Sequence, residues 1–362
     1  MKNNILIVAS GTGGHVIPAL NIADKLINKK YKITWIGTKN GIENKLIQNK
    51  SINLKYISSS GIRGKSILNK IKGTINFIKS IIQSLILIIQ EKPVFIIGFG
   101  GYITTAVSIA SFIMRISVYA HESNSIPGTA NKINHLISKK TFETFPNTFS
   151  KSSKVILTGN PLKDNFKNIT HPNSKYQKKD VNNILIFGGS QGARYFNKNI
   201  PACLSKFKDK FKIKHICGSN NKESVVDLYE KYHMDFNVIE FSYEMDVLYN
   251  WADLIISRAG SMTLSEIAIS GRASILVPYI YATDNHQYLN AKYLSDSKAA
   301  FIIEENDKFS DNLLDKLSDI SCNHNMLRSM AINVKSLFPN NSSDIILENI
   351  SELNEKYNNT TS

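Results

Sequence analysis

The chain has 362 residues, of which 42% are hydrophobic and 20% charged, and its formal net charge is +15 at pH 7. This length exceeds what one hydrophobic core usually contains, so two domains are expected, and the composition excludes a wholly disordered chain. Three scattered cysteines are too few for a disulfide framework or a zinc site and fit a reducing cytoplasm. The N-terminus does not read as a secretory signal, and no run of 18 or more uninterrupted apolar residues predicts a membrane span.

In chain order, the segment Asn-Asn-Ile-Leu-Ile at residues 3–7, which is apolar from Ile5 onward, leads into a glycine-rich turn at 11–15 and then into a helical pattern. The same succession recurs at residues 182–186, before a second glycine-rich turn at 188–192. A strand, a glycine turn and a helix open a doubly wound α/β domain, so the recurrence predicts two such domains in tandem. Further strands are predicted at 32–36, 94–97 and 117–120 in the first half and at 212–216, 254–257 and 274–277 in the second.

Two other segments complete this organisation. Residues 161–182 are polar, rich in lysine and without periodicity, which predicts a linker. Residues 343–357 alternate apolar and polar side chains at helical spacing, which predicts a C-terminal helix.

The positive charge is unevenly distributed. Between Glu43 and Glu91 there is no acidic residue, whereas eight basic ones occur there. A general lysine bias, an anionic membrane surface and nucleic acid are three open interpretations of such a segment. Nucleic acid is disfavoured, because the lysines are not interleaved with stacking aromatics and no nucleic-acid-binding motif occurs.

Three glycine-rich turns, at residues 11–15, 98–102 and 188–192, are candidate anion sites. Glycine lets the backbone approach a ligand closely, and the N-terminus of the following helix favours negative charge. None has the P-loop pattern, and the strand around Trp35 lacks the acidic residue of a nicotinamide-binding domain. Any one of these turns can be purely structural, but three at strand ends predict the binding of two diphosphates.

Three polar segments accompany the turns. Residues 121–124 directly follow a strand and are either a ligand-binding edge or an internally satisfied loop. Thr263 and Glu266 have capping-box spacing, so Glu266 either caps a helix that ends at Gly271 or binds nucleotide ribose hydroxyls, and the two roles are compatible. In the second case Ser261 and Thr263 would surround the phosphates. The amides of Gln287 and Asn290 suit sugar hydroxyls.

In this order, and with Gly159-Asn160-Pro161, the motifs resemble the MurG family, the UDP-N-acetylglucosamine:undecaprenyl-diphospho-muramoylpentapeptide N-acetylglucosaminyltransferases of peptidoglycan synthesis. The resemblance spans nearly the whole chain. It implies an α/β GT-B fold, two Rossmann-like domains with parallel sheets facing a deep cleft. An acceptor and membrane-facing domain is expected at 1–160 and a UDP-sugar-binding domain at 161–340. A C-terminal helix at about 341–357 is expected to pack back on the first domain.

The resemblance also implies roles for individual residues. The contacts expected with UDP-N-acetylglucosamine are Thr12, Gly13, Gly14, Asn124, Lys163, Ser190, Ser242, Ser261, Met262, Thr263, Leu264, Ser265, Glu266 and Gln287. The acceptor diphosphate is expected at Gly13, Gly14, His15, Gly100, Gly101 and Tyr102. Two positions depart from the family pattern. Lys163 stands where an arginine is usual and lacks its planar fork, and Ser123 replaces a glutamine.

The implied reaction is an inverting displacement in which the C4 hydroxyl of N-acetylmuramic acid attacks the anomeric carbon and UDP leaves. His15 is the candidate general base, the open alternative being that it only hydrogen-bonds the turn or the acceptor. Backbone N–H groups of the second domain would stabilise the leaving group. Since the chain has no Asp-x-Asp pair, no cofactor and no dedicated metal site are expected, although free magnesium could assist.

Two other enzyme classes remain as alternatives. They are a related lipid glycosyltransferase, such as a diacylglycerol galactosyltransferase, and a UDP-N-acetylglucosamine 2-epimerase, which the acid-free stretch disfavours. The expected partners are UDP-N-acetylglucosamine, a polyprenyl-diphosphate-linked muramoyl peptide and an anionic membrane surface, and no nucleic acid. The expected location is peripheral, at the cytoplasmic face of the inner membrane.

The membrane contact is expected on the first domain, in the acid-free stretch. About half of the apolar side chains at residues 81–89 are expected to be buried, and the exposed ones are expected mainly between residues 67 and 82.

Overall fold

The computed structural model describes residues 3–48, 50–58, 67–177, 183–189 and 192–353. The chain divides into two compact units. The first comprises Met1–Leu162 together with Asn341–Ser362, and the second comprises Lys163–Asn340.

The strands described in the first unit are β1 Asn4–Val8, β2 Lys32–Gly37, β3 Ile52–Tyr56, β4 Ile96–Gly98, β5 Val118–Glu122, β6 Lys140–Glu143 and β7 Val155–Leu157. These seven parallel strands form one sheet in the order β3-β2-β1-β4-β5-β6-β7. The helices are α1 Gly13–Asn28, α2 Glu43–Ile47, α3 Ile67–Glu91, α4 Tyr102–Ile113 and α5 Thr129–Ile137.

The side chains of strand β1 show that helices cover both faces of this sheet. Successive side chains of a strand point to opposite faces, and all of residues 5–8 are buried. Ile5 and Ile7 pack in the core cluster that includes α1, whereas Leu6 and Val8 pack in the cluster that includes α4. An unbroken apolar run therefore forms a central parallel strand between two helical layers.

The strands described in the second unit are β8 Asn183–Phe187, β9 Lys212–Ile216, β10 Phe236–Ile239, β11 Leu254–Ser257, β12 Ala273–Leu276 and β13 Ala300–Ile302. These six parallel strands repeat the arrangement of the first unit, in the order β10-β9-β8-β11-β12-β13. Its α-helices are α6 Pro172–Lys175, α7 Arg194–Leu204, α8 Lys222–Lys231, α9 Met245–Trp251, α10 Ser261–Ser270, α11 His286–Asp296, α12 Phe309–Cys322 and α13 His324–Lys335. Short 3-10 helices occur at Asp164–Asn168, Ser205–Phe207 and Thr283–Asn285.

The predicted tandem of two doubly wound α/β domains is confirmed, and each strand that was predicted from the sequence is found within two residues of its place. Five further strands were not predicted: β3, β6, β7, β10 and β13. All of them lie away from the centre of their sheets. Four of them have partly exposed side chains, so they lack the continuous apolar run that marks a central strand.

The linker prediction for residues 161–182 is wrong for residues 163–177, which pack on the second unit. Phe166 is buried there and lies edge-on to the Tyr249 ring. The Tyr176 hydroxyl donates to the Asp253 carbonyl at 2.7 Å and accepts from the Ala273 N–H at 3.1 Å. These contacts rest on single aromatic residues, which produce no periodicity in a sequence.

The C-terminal segment joins the first unit. Helix α14, Ser342–Glu348, follows the second unit in the chain. Ile346, Leu347, Ile350 and Leu353 belong to the same core cluster as Ile5. Lys25 of α1 forms an ion pair with Asp344 at 2.7 Å. The segment therefore completes the core on the α1 side of the sheet, and residues 354–357 of the expected helix lie outside the described residues.

Helix α3 is the most exposed apolar element. Ile88 is buried, while Ile81, Leu85 and Leu87 pack partly against the α4 core. Ile75, Ile78, Ile82, Ile86 and Ile89 are all exposed, and their spacing of three and four residues places them on one face of the helix. Three of these five isoleucines lie between residues 67 and 82, where most of the exposed apolar side chains were expected, and the exposed face continues beyond that range to Ile89.

By length and composition alone, one helical segment in the described part of the chain could cross a membrane. It is Lys72–Glu91, with a mean hydropathy of 1.4 and 28% of it buried. The sequence did not predict a span because polar residues interrupt the segment. A helix that lies on a protein core passes the same test, and α3 packs on α4 through its inner face.

Candidate functional site

The predicted site residues of the first unit cluster at the carboxyl ends of neighbouring strands. The turn at 11–15 follows β1, the turn at 98–101 follows β4, and residues 123–124 follow β5. Strands β1 and β4 are neighbours although they are far apart in the chain, so the strand order reverses between them. Ligands of open α/β sheets bind at such a reversal.

The first turn forms the N-terminus of a helix. Thr12 is the exposed N-cap residue and α1 begins at Gly13. Gly13, Gly14 and His15 thus occupy the first turn of a 16-residue helix, where the helix dipole favours an anion. His15 is partly buried, and its N–H donates to the Thr12 carbonyl at 3.1 Å.

The second turn packs directly on the first. Gly100 and Gly101 have φ values of +108° and +90°, which side chains rarely adopt. A Cβ atom on Gly100 would lie 2.9 Å from the Nε2 atom of His15, and one on Gly101 would lie 3.0 Å from the Ser10 carbonyl oxygen. Glycine is therefore required at both positions for the turns to touch. Tyr102, at the start of α4, is 57% exposed.

The polar segment 121–124 was expected to follow a strand, but its first two residues, His121 and Glu122, form the end of β5 and support the residues after it. The buried Glu122 carboxylate accepts hydrogen bonds from the Asn124 N–H at 2.9 Å and from the Asn131 amide at 2.8 Å, and burial raises its pKa. Burial lowers the pKa of His121 to about 4, and its ring lies against Phe99. The interpretation as an internally satisfied loop therefore fits Glu122, whose carboxylate holds the partly exposed Asn124 in place.

Ser123 connects this loop to the first turn. Its hydroxyl donates to the Gly14 carbonyl at 3.1 Å. The turns after β1, β4 and β5 therefore form one contiguous edge in the first unit. This edge brings together Thr12, Gly13, Gly14, His15, Gly100, Gly101, Tyr102 and Asn124.

The second unit has a corresponding edge, where the strand order reverses between β8 and β11. The third glycine turn follows β8, and Ser190 within it lies outside the described residues. Gly189 and Gly192 have φ values of +95° and +73°. A Cβ atom on Gly192 would lie 2.2 Å from the Cys217 carbonyl oxygen at the end of β9, so this turn also requires glycine.

Helix α10 follows β11 and carries the densest group of predicted residues. It begins at Ser261 with Gly260 as its N-cap, and it ends at Gly271, whose φ is +58°. The predicted end is confirmed, but the capping box is wrong: Glu266 lies in the second turn and Thr263 is not the N-cap. The glycine at the N-cap leaves no side chain there to make the capping hydrogen bond.

Within α10, burial separates the predicted donor contacts into two classes. Ser261, Met262, Leu264 and Ser265 are buried, whereas Thr263 and Glu266 are partly exposed. Met262 and Leu264 therefore supply packing, and a ligand at this helix N-terminus would meet backbone N–H groups and the side chains of Thr263 and Glu266.

Glu266 has the most unusual environment of these residues. The Tyr249 hydroxyl donates to its Oε2 atom at 2.9 Å. Burial raises the pKa of Glu266 to about 7, although the Tyr249 hydrogen bond and the positive charge of Lys163 both act to lower it. A carboxyl with a pKa near neutrality is common where a protein binds or transforms a ligand.

The loop after β10 and the first turn of α11 supply two further predicted residues. The Ser242 hydroxyl accepts a hydrogen bond from the Glu244 N–H at 3.1 Å. The Gln287 Oε1 atom accepts one from the Tyr279 N–H at 3.0 Å, which fixes the orientation of its amide. Asn290 is buried, and its amide donates to the Ala259 carbonyl at 3.4 Å, so it supports the start of α10.

Arg258 is a residue of this edge whose role the sequence did not predict. It lies directly after β11, donates to the Val277 carbonyl at 3.1 Å and pairs with Glu305 at 2.5 Å. Its guanidinium is also 4.6 Å from the Phe196 ring centroid. Arg258 thus ties together the ends of β11, β12 and β13 beside α7. The sequence feature that could have identified Arg258 is a basic residue placed between the end of a predicted strand and a glycine.

Comparison with known proteins connects both units to one group of enzymes. Residues 5–143 match the glycosyltransferase family 28 N-terminal domain, and residues 183–345 match the glycosyltransferase family 28 C-terminal domain. A relative in Pseudomonas paraeruginosa, named UDP-N-acetylglucosamine–N-acetylmuramyl-(pentapeptide) pyrophosphoryl-undecaprenol N-acetylglucosamine transferase, is 36% identical over 93% of this chain and 95% of its own. One from Pseudomonas fluorescens with the same name is 37% identical over 91% and 93%.

Solved structures agree with this likeness. The crystal structure of Acinetobacter baumannii MurG matches with a TM-score of 0.85 and 31% identity, covering 97% of this chain and 99% of that one. A Neisseria meningitidis UDP-GlcNAc 2-epimerase matches with a TM-score of 0.64 and 17% identity, covering 95% and 98%. At that identity the epimerase shares the fold alone.

Proposed function

The chain belongs to the MurG family of glycosyltransferases, with the GT-B fold, and we propose that it transfers N-acetylglucosamine from UDP-N-acetylglucosamine to undecaprenyl-diphospho-N-acetylmuramoyl-pentapeptide. The observation that carries the proposal is the match of 36% identity along 93% of the chain to enzymes named for this transfer. It supports the lipid I to lipid II step of peptidoglycan synthesis over the galactosyltransferase and epimerase alternatives.

The donor is assigned mainly to the carboxyl edge of the second unit. The carboxylate of Glu266 would accept hydrogen bonds from the ribose hydroxyls, and the N-terminus of α10 with Thr263 would receive the diphosphate. Gln287 would hold a sugar hydroxyl, and the backbone at Ser242 would meet the uracil. Lys163 acts on Glu266 through its charge and would lie beside the ribose and diphosphate. The remaining donor contacts would be Thr12, Gly13, Gly14, Asn124 and Ser190.

The acceptor diphosphate is assigned to the paired turns of the first unit, at the N-terminus of α1 and the Gly100–Gly101 turn. The C4 oxygen of N-acetylmuramic acid forms the new bond to the anomeric carbon as the bond to the UDP oxygen breaks. Its proton would pass to His15, whose ring is held against Gly100. UDP leaves with the bonding electron pair, and the positive end of α10 would stabilise its charge.

We further propose that the reaction uses no resident metal or organic cofactor, as the lack of an Asp-x-Asp pair in the sequence predicts. Among the residues that the structure describes, no group of three or more His, Cys, Asp or Glu side chains has the arrangement of a metal site. Free magnesium bound to the diphosphate could still assist departure of UDP.

The exposed face of α3 is proposed to rest on the cytoplasmic surface of the inner membrane. A polyprenyl tail remains in the bilayer, since each CH₂ buried there contributes about 0.8 kcal/mol. The five exposed isoleucines of α3, with Phe112 and Ile113 at the end of α4, form apolar surface on the first unit. Lys72 and Lys79 are exposed on the same helix and would attract anionic headgroups.

Release of UDP from UDP-N-acetylglucosamine tests the function directly. We expect release only when an undecaprenyl-diphosphate-linked muramoyl pentapeptide is supplied, together with a lipid product heavier by one N-acetylglucosamine. Diacylglycerol serves as the acceptor control. Release with diacylglycerol but not with the muramoyl lipid, or conversion of the donor into its 2-epimer without any acceptor, would overturn the proposal.

A further inference from the structure

The proposed donor site depends on one carboxylate whose direction must be fixed before a ribose arrives. Glu266 is partly exposed on the second turn of α10, and glutamate has three rotatable side-chain bonds. A carboxylate that binds two neighbouring hydroxyls needs both oxygens at defined positions, because hydrogen bonds weaken steeply with misalignment. A group that orients this carboxylate therefore contributes to affinity without touching the nucleotide.

Tyr249 is placed to do this. It lies on α9, is fully buried, and its hydroxyl is 2.9 Å from the Oε2 atom of Glu266. A hydrogen bond that a hydroxyl donates to a carboxylate is stronger than one between neutral groups. It also uses one lone pair of Oε2, so the remaining acceptor directions of the carboxylate are restricted.

The tyrosine ring is itself held on several sides. The rings of Phe166 and Phe187 lie edge-on to it, with centroids at 5.6 and 5.9 Å. The Tyr249 carbonyl accepts from the Nε atom of Arg272 at 2.9 Å, and Arg272 is itself fully buried. These contacts hold the ring and the backbone of Tyr249, and they do not involve its hydroxyl, which hydrogen-bonds Glu266. Removal of the hydroxyl alone should therefore leave all of them intact.

We propose that Tyr249 is a positioning residue, whose hydroxyl orients the Glu266 carboxylate toward the ribose hydroxyls of the uridine diphosphate donor. The inference rests on the proposed function, since it takes Glu266 as the ribose contact. It adds that α9, through the Tyr249 hydroxyl, determines how well the site distinguishes a ribose from a deoxyribose.

The test compares the affinities of three nucleotides, UDP, 2′-deoxy-UDP and 3′-deoxy-UDP, for the full chain and for Tyr249→Phe by calorimetry. In the unchanged protein we expect at least one deoxy analogue to bind about tenfold more weakly than UDP, because a hydrogen bond to a charged group is lost. In Tyr249→Phe we expect that ratio to fall to about threefold or less, while the affinity for the deoxy analogue changes little.

Tyr229→Phe is the matched control. Tyr229 is also fully buried in the second unit, and its hydroxyl lies 3.1 Å from the Nδ1 atom of His215 rather than near Glu266. Its loss should leave the ratio between UDP and its deoxy analogues unchanged. If Tyr249→Phe weakens UDP and both analogues by the same factor, Tyr249 is only structural and the proposal is overturned.

Failure of the inference can be separated from failure of the proposed function. If the unchanged protein transfers N-acetylglucosamine but binds UDP and both deoxy analogues equally, Glu266 does not hold the ribose. In that case the positioning role of Tyr249 is wrong, while the proposed transfer of N-acetylglucosamine is correct. If the unchanged protein transfers no sugar to the muramoyl lipid, the proposed function itself is wrong.

Discussion

The pH dependence of donor binding is the most direct consequence of the Glu266 environment. Burial raises the pKa of Glu266 to about 7 in the free protein. Ribose hydroxyls donate hydrogen bonds, so the ionised carboxylate is the form that binds them well. With a pKa of about 7, roughly 90% of the carboxyl is ionised at pH 8 and roughly 10% at pH 6. The affinity for UDP-N-acetylglucosamine should therefore fall about tenfold, or about 1.4 kcal/mol, between pH 8 and pH 6.

The direction of this pH dependence follows from the groups that face the Glu266 carboxyl. Tyr249 keeps its proton over this range, because burial raises its pKa well above the usual value. Lys163 favours the ionised carboxylate through its charge. Binding at pH 6 should thus release close to one proton, since the bound carboxylate no longer holds the proton that the free carboxyl carries.

Calorimetry in two buffers of different ionisation enthalpy measures both the affinity and the proton release. UDP-N-acetylglucosamine is the appropriate ligand, because it lacks the terminal phosphate of UDP, whose own proton dissociates near pH 6. Glu266→Gln is the control: its neutral amide should bind more weakly and show no such slope. A flat affinity in the unchanged protein, or an equal slope in the glutamine variant, would refute the reasoning.

Three further predictions concern the first unit. His15→Ala should lower turnover by roughly 10²–10⁴-fold if His15 is the base, and a loss below tenfold with an unchanged pH profile would exclude that role. Gly100→Ala should lower turnover and cost about 1–3 kcal/mol of stability through its positive φ and the displaced His15 ring. Gly128→Ala, whose added methyl meets no atom within 4 Å, should do neither, and chemical denaturation with a turnover assay compares the two. Sedimentation with anionic vesicles should weaken with salt and in the combined change Lys70→Glu and Lys72→Glu, and binding that ignores both would rule out the α3 surface.

The fold was predictable because its central strands are buried on both faces. The runs at β1, β8 and β11 are continuously apolar and end in glycine turns or polar segments, which are local features of the sequence. The outer strands and the packed segment around Phe166 were not predictable. Their structure depends on a neighbouring strand or on one aromatic contact, and neither of these produces a periodic pattern of apolar residues in the sequence.

The candidate site was likewise only partly predictable from the sequence. The glycine turns stood out because each directly follows an apolar run, and Glu266 stood out because of its spacing from Thr263. The supporting residues Tyr249 and Arg258 did not, because a buried tyrosine or arginine is identified only by the atoms it meets across the fold. The capping spacing of Thr263 and Glu266 was misleading, since α10 begins two residues earlier, at Ser261.

The place of the C-terminal segment in the first core has a consequence for synthesis of the chain. Ile346, Ile350 and Leu353 pack with Ile5, yet the ribosome makes them after the whole second unit, residues 163–340. At roughly 5–20 residues per second, the first unit waits roughly 10–40 s with that part of its apolar surface uncovered. The second unit is contiguous and complete before the first, so the domain that begins the polypeptide is the last to close, and a nascent chain is vulnerable to aggregation at its N-terminal half.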